Sequence, residues 1–263
     1  MISDTTASVA GAGRDRLREL QDDRFAETVR RAYENVPFYR EAFEEVSVSP
    51  ADVSGVDDIE RFPFTTKEDF RGQYPDGLFA VDDEEIERIH ASSGTTGKPK
   101  VVAYTDSDLD VWREVMGRTL ELAGVDGDDR LQNAFGYGLF TGGLGVHHGT
   151  DAIGAGVVPT GGGGSRRQIR FLRDLSADAI AATPSYALRL IDVAEEMGVE
   201  LADLPVETVV YGAETCTGPM REAIEDGFGA TAVDIYGLSE LIGPGVAAEC
   251  RTAQDGLHVF EDH

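Results

Sequence analysis

The sequence predicts an α/β fold: a layered, mostly parallel sheet with flanking helices. Three observations carry that expectation. Beyond residue 86, short apolar runs alternate with stretches of helical periodicity; a Gly/Ser/Thr-rich loop follows one of those runs; and two further runs end in a tyrosine, a glycine and, a few residues on, a glutamate. Parallel strands joined by crossover helices give such alternation, and in such sheets ligands gather at the carboxyl ends of the strands.

Residues 14–46 read as two helices broken near Pro37. Leu17, Leu20, Val29, Ala32, Tyr33 and Val36 form one core-facing stripe, and Tyr39, Ala42, Phe43 and Val46 a second. Thr65-Thr66 before Lys67-Glu68-Asp69 reads as a hydroxyl cap followed by carboxylates at the positive end of a helix. Residues 1–86 are therefore expected to form an N-terminal helical region, and residues 87–263 an α/β core. In the core, strands are expected at 87–91, 101–104, 157–158, 179–182, 208–211 and 231–235, with helices near 107–122, 166–175, 185–197 and 218–227. Gly161-Gly162-Gly163-Gly164-Ser165, between a strand and a helix, suits either a linker or a mobile binding loop.

Ser92-Ser93-Gly94-Thr95-Thr96-Gly97-Lys98-Pro99-Lys100 follows the first strand and has the composition of a polyphosphate loop. Glycines let backbone N–H groups approach phosphate oxygens, hydroxyls donate further hydrogen bonds, and Lys98 adds a positive charge. It is not a Walker A loop, because Ser92 stands where the first glycine is required and Pro99 where a metal-binding hydroxyl must follow the lysine. Tyr236-Gly237-Leu238-Ser239-Glu240 follows an apolar run, so an aromatic face for a base and a carboxylate for magnesium stand at one strand end. Tyr211-Gly212-Ala213-Glu214 stands at another, and the two motifs are expected to converge. From Tyr137 to Gly149 an aromatic-rich turn opens a glycine-dotted helix, whose missing side chains leave room for a flat ligand, ordinary close helix packing being the alternative; Gly136-Tyr137-Gly138 lacks the third glycine of a dinucleotide fingerprint. His147 and His148 are adjacent and diverge on a helix, which argues against a joint metal site.

The formal net charge is −26, from 49 acidic and 23 basic side chains. Neither a nucleic acid nor an anionic membrane is an expected partner, since both need a basic footprint. Acidic residues are spread through nearly every segment, as in proteins adapted to a high-salt cytoplasm, an ordinary acidic enzyme being the alternative. Cys216 and Cys250 are too few for a disulfide framework, and no apolar run is long enough to span a bilayer, so a reducing cytoplasm is expected. Cys250, His258 and His263 have zinc-compatible chemistry if a fourth ligand arrives from elsewhere; unlinked residues are the simpler account.

Four stretches together resemble the adenylate-forming enzymes, and more narrowly the phenylacetate-CoA ligase family: Ser92 to Lys100; Phe135-Gly136-Tyr137-Gly138-Leu139-Phe140-Thr141-Gly142-Gly143; Tyr211 to Glu214; and Asp234-Ile235-Tyr236-Gly237-Leu238-Ser239-Glu240 running on to Gly243-Pro244-Gly245. The first belongs to the whole superfamily, whereas the second and the Leu-Ile-Gly-Pro-Gly stretch are specific to the phenylacetate branch. The resemblance implies ATP, magnesium and CoA as cofactors, with an aromatic acid as substrate, as in phenylacetate catabolism. A carboxylate would attack the α-phosphate of ATP, and CoA would then displace AMP. It assigns Ser92, Ser93, Gly94, Thr95, Thr96, Gly97 and Lys98 to the phosphates and Glu240 to magnesium. Gly212, Ala213, Glu214, Asp234, Ile235, Tyr236, Gly237 and Ser239 fall to the nucleotide, and Tyr137, Gly138 and Phe140 to the acid. Family members continue past the position of His263, through a ribose-binding aspartate and a domain bearing the adenylation lysine. A truncated chain, incomplete alone, is therefore expected. Its partner could be a separately encoded C-terminal half, or a second copy in a homodimer. The alternatives are a nucleotide or acyl-adenylate binding module without turnover, and an AMP-transferring synthetase acting on a deazaflavin cofactor.

Overall fold

A computed structural model describes residues 13–92 and 98–263. The chain divides into two compact units, one of residues 110–260 and one of the residues up to 109 with 261–263. Among the described residues no helix is long and apolar enough to cross a membrane.

In the N-terminal unit, α1 (Arg14–Asn35) and α2 (Pro37–Glu45) are separated by Val36, extended at φ −116° and ψ 105°. The pyrrolidine of Pro37 disfavours a helical residue before it yet suits the first turn of the next helix. Val29, Val36 and Phe43 are buried, and the rings of Phe25 and Phe43 meet Phe62 edge-on at 5.6 and 4.9 Å. Val46, expected in the second stripe, is 45% exposed, because α2 ends at Glu45. The cap expected before Lys67 is present: α3 (Lys67–Gly72) opens on Thr66, whose N–H donates to Asp69 Oδ2 at 2.7 Å while Asp69 N–H donates back to the Thr66 hydroxyl at 3.4 Å. β1 (Arg88–Ala91) and β2 (Val101–Tyr104) form an antiparallel pair of their own. That corrects the expectation of parallel pairing for 101–104; the segment between the strands is shorter than the dozen or so residues a parallel crossover needs. Residues 261–263 join this unit through α1, where Gln21 Nε2–H donates to Glu261 O at 2.8 Å and Arg14 pairs with the Glu261 carboxylate.

The division between the units falls along α4 (Asp106–Leu122). The larger unit continues with β3 (Arg130–Asn133), α5 (Gly142–Ile153), β4 (Gly156–Val158), α6 (Ser165–Asp174), β5 (Ala179–Ala182), α7 (Pro184–Met197), β6 (Thr208–Gly212), α8 (Gly218–Phe228), β7 (Thr231–Leu238), β8 (Gly243–Glu249) and β9 (Leu257–Val259). Its seven-stranded sheet has the order β4-β3-β5-β6-β7-β8-β9, parallel from β4 to β7 and antiparallel from β7 to β9. The mostly parallel layered fold is as expected, but β3, β8 and β9 were not foreseen. β3 is Arg-Leu-Gln-Asn, with one apolar residue, and β8 is broken by two glycines and a proline. Strand order reverses between β3 and β5, so the carboxyl ends of those two strands frame the crevice where such sheets take ligands.

Residues of alternate parity on the sheet, among them Ile180, Ala182, Val209 and Tyr211, join Leu172 of α6, Leu190 of α7 and Ile224 and Phe228 of α8 in one buried core. α4 contributes another stripe, Trp112, Val115, Met116 and Leu120, fully buried at helical spacing. α5 lies against this stripe, and glycines make the approach possible. A Cβ on Gly145 would stand 2.6 Å from Pro244 Cγ and 2.8 Å from the Trp112 ring, and one on Gly149 would stand 2.8 Å from the backbone carbonyl of Met116. The helix glycines expected to leave room for a ligand are therefore filled by protein.

A helical Gly→Ala change ordinarily gains about 1 kcal/mol. At Gly149 the added carbon meets backbone that cannot yield, and overpacking of that kind costs about 1–3 kcal/mol. Gly149→Ala is expected to lower the urea midpoint of the larger unit; an unchanged or raised midpoint would show that α4 and α5 are not in this contact.

Candidate functional site

At the carboxyl end of β3 stands Asn133, fully buried and fully engaged. Its Nδ2 donates to Gly143 O at 2.7 Å and to the Tyr137 hydroxyl at 2.8 Å, while its Oδ1 accepts from Phe135 N–H at 3.2 Å. One side chain thus folds the 133–143 turn back onto the start of α5. The Tyr137 hydroxyl also meets His147 Nδ1 at 3.0 Å, and His147 Nε2 lies 3.5 Å from Asp151 Oδ2 one turn further along α5. Burial holds the Tyr137 hydroxyl above its ordinary pKa, so it stays protonated. His148 is buried and sets its ring edge-on to Trp112, so the two histidines diverge as expected. Gly136 and Gly138 have open space where a Cβ would be. Of the three residues assigned to the acid, Tyr137 and Phe140 carry exposed rings beside Gly138.

The Gly161–Gly164 loop closes the other side of this turn. Gly161 N–H and the Thr160 hydroxyl donate to Asn133 O at 3.1 and 3.0 Å, and buried Gln168 reaches from α6 to donate to Gly161 O at 2.6 Å. Gly161 adopts φ +67°, where a side chain would be strained, with Tyr137 beside it.

The two strand-end motifs lie side by side, since Gly212 pairs with Ile235. A Cβ on Gly212 would be 2.5 Å from Ile235 O, and Ala213 takes φ +69°, so β6 ends in a sharp turn. Glu214 lies at the start of α7, where its Oε2 accepts from Ser185 N–H at 3.2 Å at the positive end of the helix. β7 runs beyond the expected end at Ile235 to Leu238 because β8 pairs with it, with a register shift between Tyr236 and Gly237. A Cβ on Gly237 would fall 1.8 Å from Gly243 O, so only glycine fits there. The Tyr236 ring is half exposed, Ser239 is buried, and Glu240 sits in the turn into β8. Through Pro244, which touches Gly145, this hairpin meets the helix that carries the aromatic turn.

Beneath Asp234 lies a buried ionic group that the sequence did not announce. Arg221 of α8 grips Glu249 of β8 with both terminal nitrogens, at 3.0 and 2.5 Å, and Glu249 also accepts from Asp234 N–H at 3.1 Å. Burial, with Glu249 adding repulsion and Arg221 offsetting part of it, pushes the Asp234 carboxyl up to about 6. Burial also raises the Cys216 thiol, in keeping with an inert cysteine. No sequence pattern foretells this group, because the pairing passes through the unforeseen β8. Asn133 and Gln168 were missed for the related reason that β3 was not recognised.

In the N-terminal unit, Ser92 N–H donates to Lys100 O at 3.0 Å, and the exposed Lys98 stands over the Tyr74 ring with its Nζ 5.1 Å from the centroid. Ser93, Gly94, Thr95, Thr96 and Gly97 lie outside the described residues. Of the zinc candidates, Cys250 follows β8 and His258 pairs opposite Ala248 on β9, both in the larger unit, whereas His263 belongs to the N-terminal unit, 3.3 Å from Asp262. The Cys250 thiol is held below its ordinary pKa by the N–H groups of Ala253 and Thr252 in its own turn.

The chain is 49% identical over 252 residues to the phenylacetate-coenzyme A ligase of Aromatoleum evansii, covering 96% of this chain and 57% of that protein. It is 47% identical over 265 residues to the phenylacetate-coenzyme A ligase of Escherichia coli K12, covering 100% and 61%. It therefore spans about three fifths of the length of these curated relatives. Among solved structures, 2-hydroxyisobutyryl-CoA ligase in complex with 2-HIB-AMP and CoA, in its thioesterification state, superposes with a TM-score of 0.87 at 25% identity, over 94% of this chain and 54% of that one. With residues 13–258 matching the family described as AMP-binding enzyme, the chain belongs to that family.

Proposed function

We propose that this chain binds ATP and a phenylacetate-like aromatic acid and supports formation of the acyl-adenylate, the first step of an ATP-dependent acid–CoA ligase. The observation that carries the reading is the packing of α5, the helix that the Tyr137–Phe140 turn opens, on the β7–β8 hairpin: a Cβ on Gly145 would stand 2.6 Å from Pro244 Cγ, and one on Gly243 2.8 Å from Thr141 Cβ. The similarity to phenylacetate-coenzyme A ligases supports the same assignment.

The residues fit the groups they would hold. The half-buried Asp234 carboxylate is an acceptor for an exocyclic amine of a base, the turn after Gly212 presents bare backbone, and the Tyr236 ring offers a stacking face. Rings and open glycine positions at Tyr137, Gly138 and Phe140 suit a short flat acid. Lys98, with the segment that begins at Ser92, would neutralise phosphate charge, and no protein nucleophile is needed when the acid itself attacks. Glu240 would hold a magnesium ion, which supplies positive charge to the phosphates. Zinc at Cys250, His258 and His263 has no comparable support.

Calorimetry of the 263-residue chain with ATP and magnesium in high salt tests the nucleotide assignment. Lys98→Ala and Glu240→Gln are each expected to weaken binding about tenfold or more, as loss of a charge-assisted contact does, and equal binding in all three proteins would remove both residues from the site. Nucleotide affinity should also fall as pH drops through about 6, because protonation removes the negative charge that strengthens the Asp234 acceptor. Asp234→Asn, which keeps an uncharged acceptor, should flatten that profile. For the acid, a panel of aromatic and long-chain fatty acids assayed for binding should favour the aromatic members; equal affinity for both classes would contradict the flat pocket.

A further inference from the structure

The polar chain behind Tyr137 has a defined direction. Asn133 Nδ2 can only donate, so the Tyr137 oxygen accepts there at 2.8 Å. The Tyr137 proton is then directed at His147 Nδ1, 3.0 Å away, which accepts it when the imidazole carries its own proton on Nε2, the nitrogen 3.5 Å from Asp151 Oδ2. Every hydrogen-bonding capacity on the ligand side of Tyr137 is thereby turned toward the protein, while its ring remains 36% exposed beside Gly138. The His147 ring stands edge-on to the Tyr137 ring at 5.8 Å, so the same residue also limits how the wall can tilt.

We infer that His147, backed by Asp151, is a specificity-determining residue: by accepting the Tyr137 proton it makes Tyr137 a purely apolar wall, and the acid site selects unsubstituted aryl acids against ring-hydroxylated ones. This rests on the reading of Tyr137 as a wall of the acid site. A hydroxylated ring brought against that wall loses its water and finds no donor free to replace it, and an unmade buried hydrogen bond is costlier than a made one is favourable. His147 acts through Tyr137 and is a positioning residue.

The test measures equilibrium binding of phenylacetate and of its 2-, 3- and 4-hydroxy derivatives to the full 263-residue chain and four variants. In His147→Leu, Asn133 still anchors the Tyr137 oxygen, but the freed proton turns toward the ligand, and the affinity ratio should shift roughly three- to tenfold toward at least one hydroxylated acid, the equivalent of about one net hydrogen bond. His147→Asn, whose Oδ1 can stand close to the imidazole Nδ1, should restore the wild-type ratio. In Tyr137→Phe, and in Tyr137→Phe combined with His147→Leu, the ratio should no longer respond to position 147. A purely structural role for His147 would weaken all four acids alike, and that outcome overturns the inference, as does a Leu shift that persists without the Tyr137 hydroxyl. Binding of the acids with no change of ratio at position 147 overturns the inference alone, whereas binding of no aryl acid by the wild type overturns the acid-site reading with it. To separate misfolding of the Leu variant from loss of the proton's acceptor, the 13C shift of the Tyr137 ring carbon bearing the hydroxyl is read in the same samples. It should move in His147→Leu and return in His147→Asn, and an unmoved shift in folded protein refutes the proton's assignment to His147.

Discussion

The larger unit depends on a contact in which side chains are missing. α5 can lie against Trp112, Met116 and Pro244 only because residues 145 and 149 are glycines, and β7 can pass β8 at Gly243 only because residue 237 is one. The indole N–H of Trp112 donates to Pro244 O at 2.9 Å and pins the hairpin to α4. Close packing of this kind transmits displacement with little loss, since an interior near crystalline density has no slack to absorb it. The aromatic turn before α5 and the Tyr236 strand therefore hold a fixed separation. Neither motif is placed by its own local propensity: α5 is set by Trp112, Met116 and Pro244, and the Tyr236 strand by the backbone of Gly243 and Pro244.

Two polar groups complete that frame: Asn133 is buried, and Arg221, partly exposed, pairs with the buried Glu249. Asn133 ties the 133–143 turn to α5, and the Arg221–Glu249 pair ties α8 and β8 to the middle of β7. A buried ion pair contributes little net stability beyond what an apolar replacement would, but removing one partner strands the other charge and costs several kcal/mol. Specification is the better account of its presence. Glu249 takes a backbone N–H of β7 that faces it across the pair of strands, so it fixes which residue stands at position 234. It also keeps Arg221 occupied, so that the like charge of Glu249 adds to burial, the larger cause, in raising the Asp234 carboxyl.

Much of this was legible in the sequence, and the exceptions have physical causes. Strands that are apolar throughout, such as Ala179–Ala182 and Thr208–Gly212, are buried on both faces and announce themselves, as do the break at Pro37 and the cap at Thr66. β3 was invisible because its last two residues, Gln132 and Asn133, are buried polar groups, whose amide nitrogens donate to Gln168 on α6 and to Gly143 at the start of α5. With β3 unseen, the reversal of strand order and the crevice it creates could not be located. β8 was hidden by the glycines that make its contacts possible. The sequence also predicted that the two strand-end motifs converge, and they do so through the parallel pairing of β6 with β7; what it could not supply is the close approach at Gly145, Gly149 and Gly237, which rests on steric room that a pattern of residue types does not show. Of the two readings of the α5 glycines, room for a ligand and close helix packing, the approach of Trp112 and Met116 supports the second at Gly145 and Gly149.

The overall charge sets a condition on the proposed chemistry. An anionic nucleotide and a carboxylic acid approach a chain of formal charge −26 against its long-range field. At high ionic strength the Debye length shrinks to a few ångströms, so that the field is confined to contacts at van der Waals range, and only local groups matter. Many of the arginines are already matched: Arg18 with Asp22 and Asp57, Arg30 with Glu27 and Glu34, Arg166 with Glu196, Arg221 with Glu249. Lys98 is held differently, over an aromatic face that attracts its charge without neutralising it. A cation stored against a ring keeps its capacity to pair with phosphate, whereas one stored against a carboxylate would first have to give that pair up. In an acidic chain that distinction bears on which positive charges remain usable for an anion, and in the proposed reading it leaves the Lys98 charge available to phosphate.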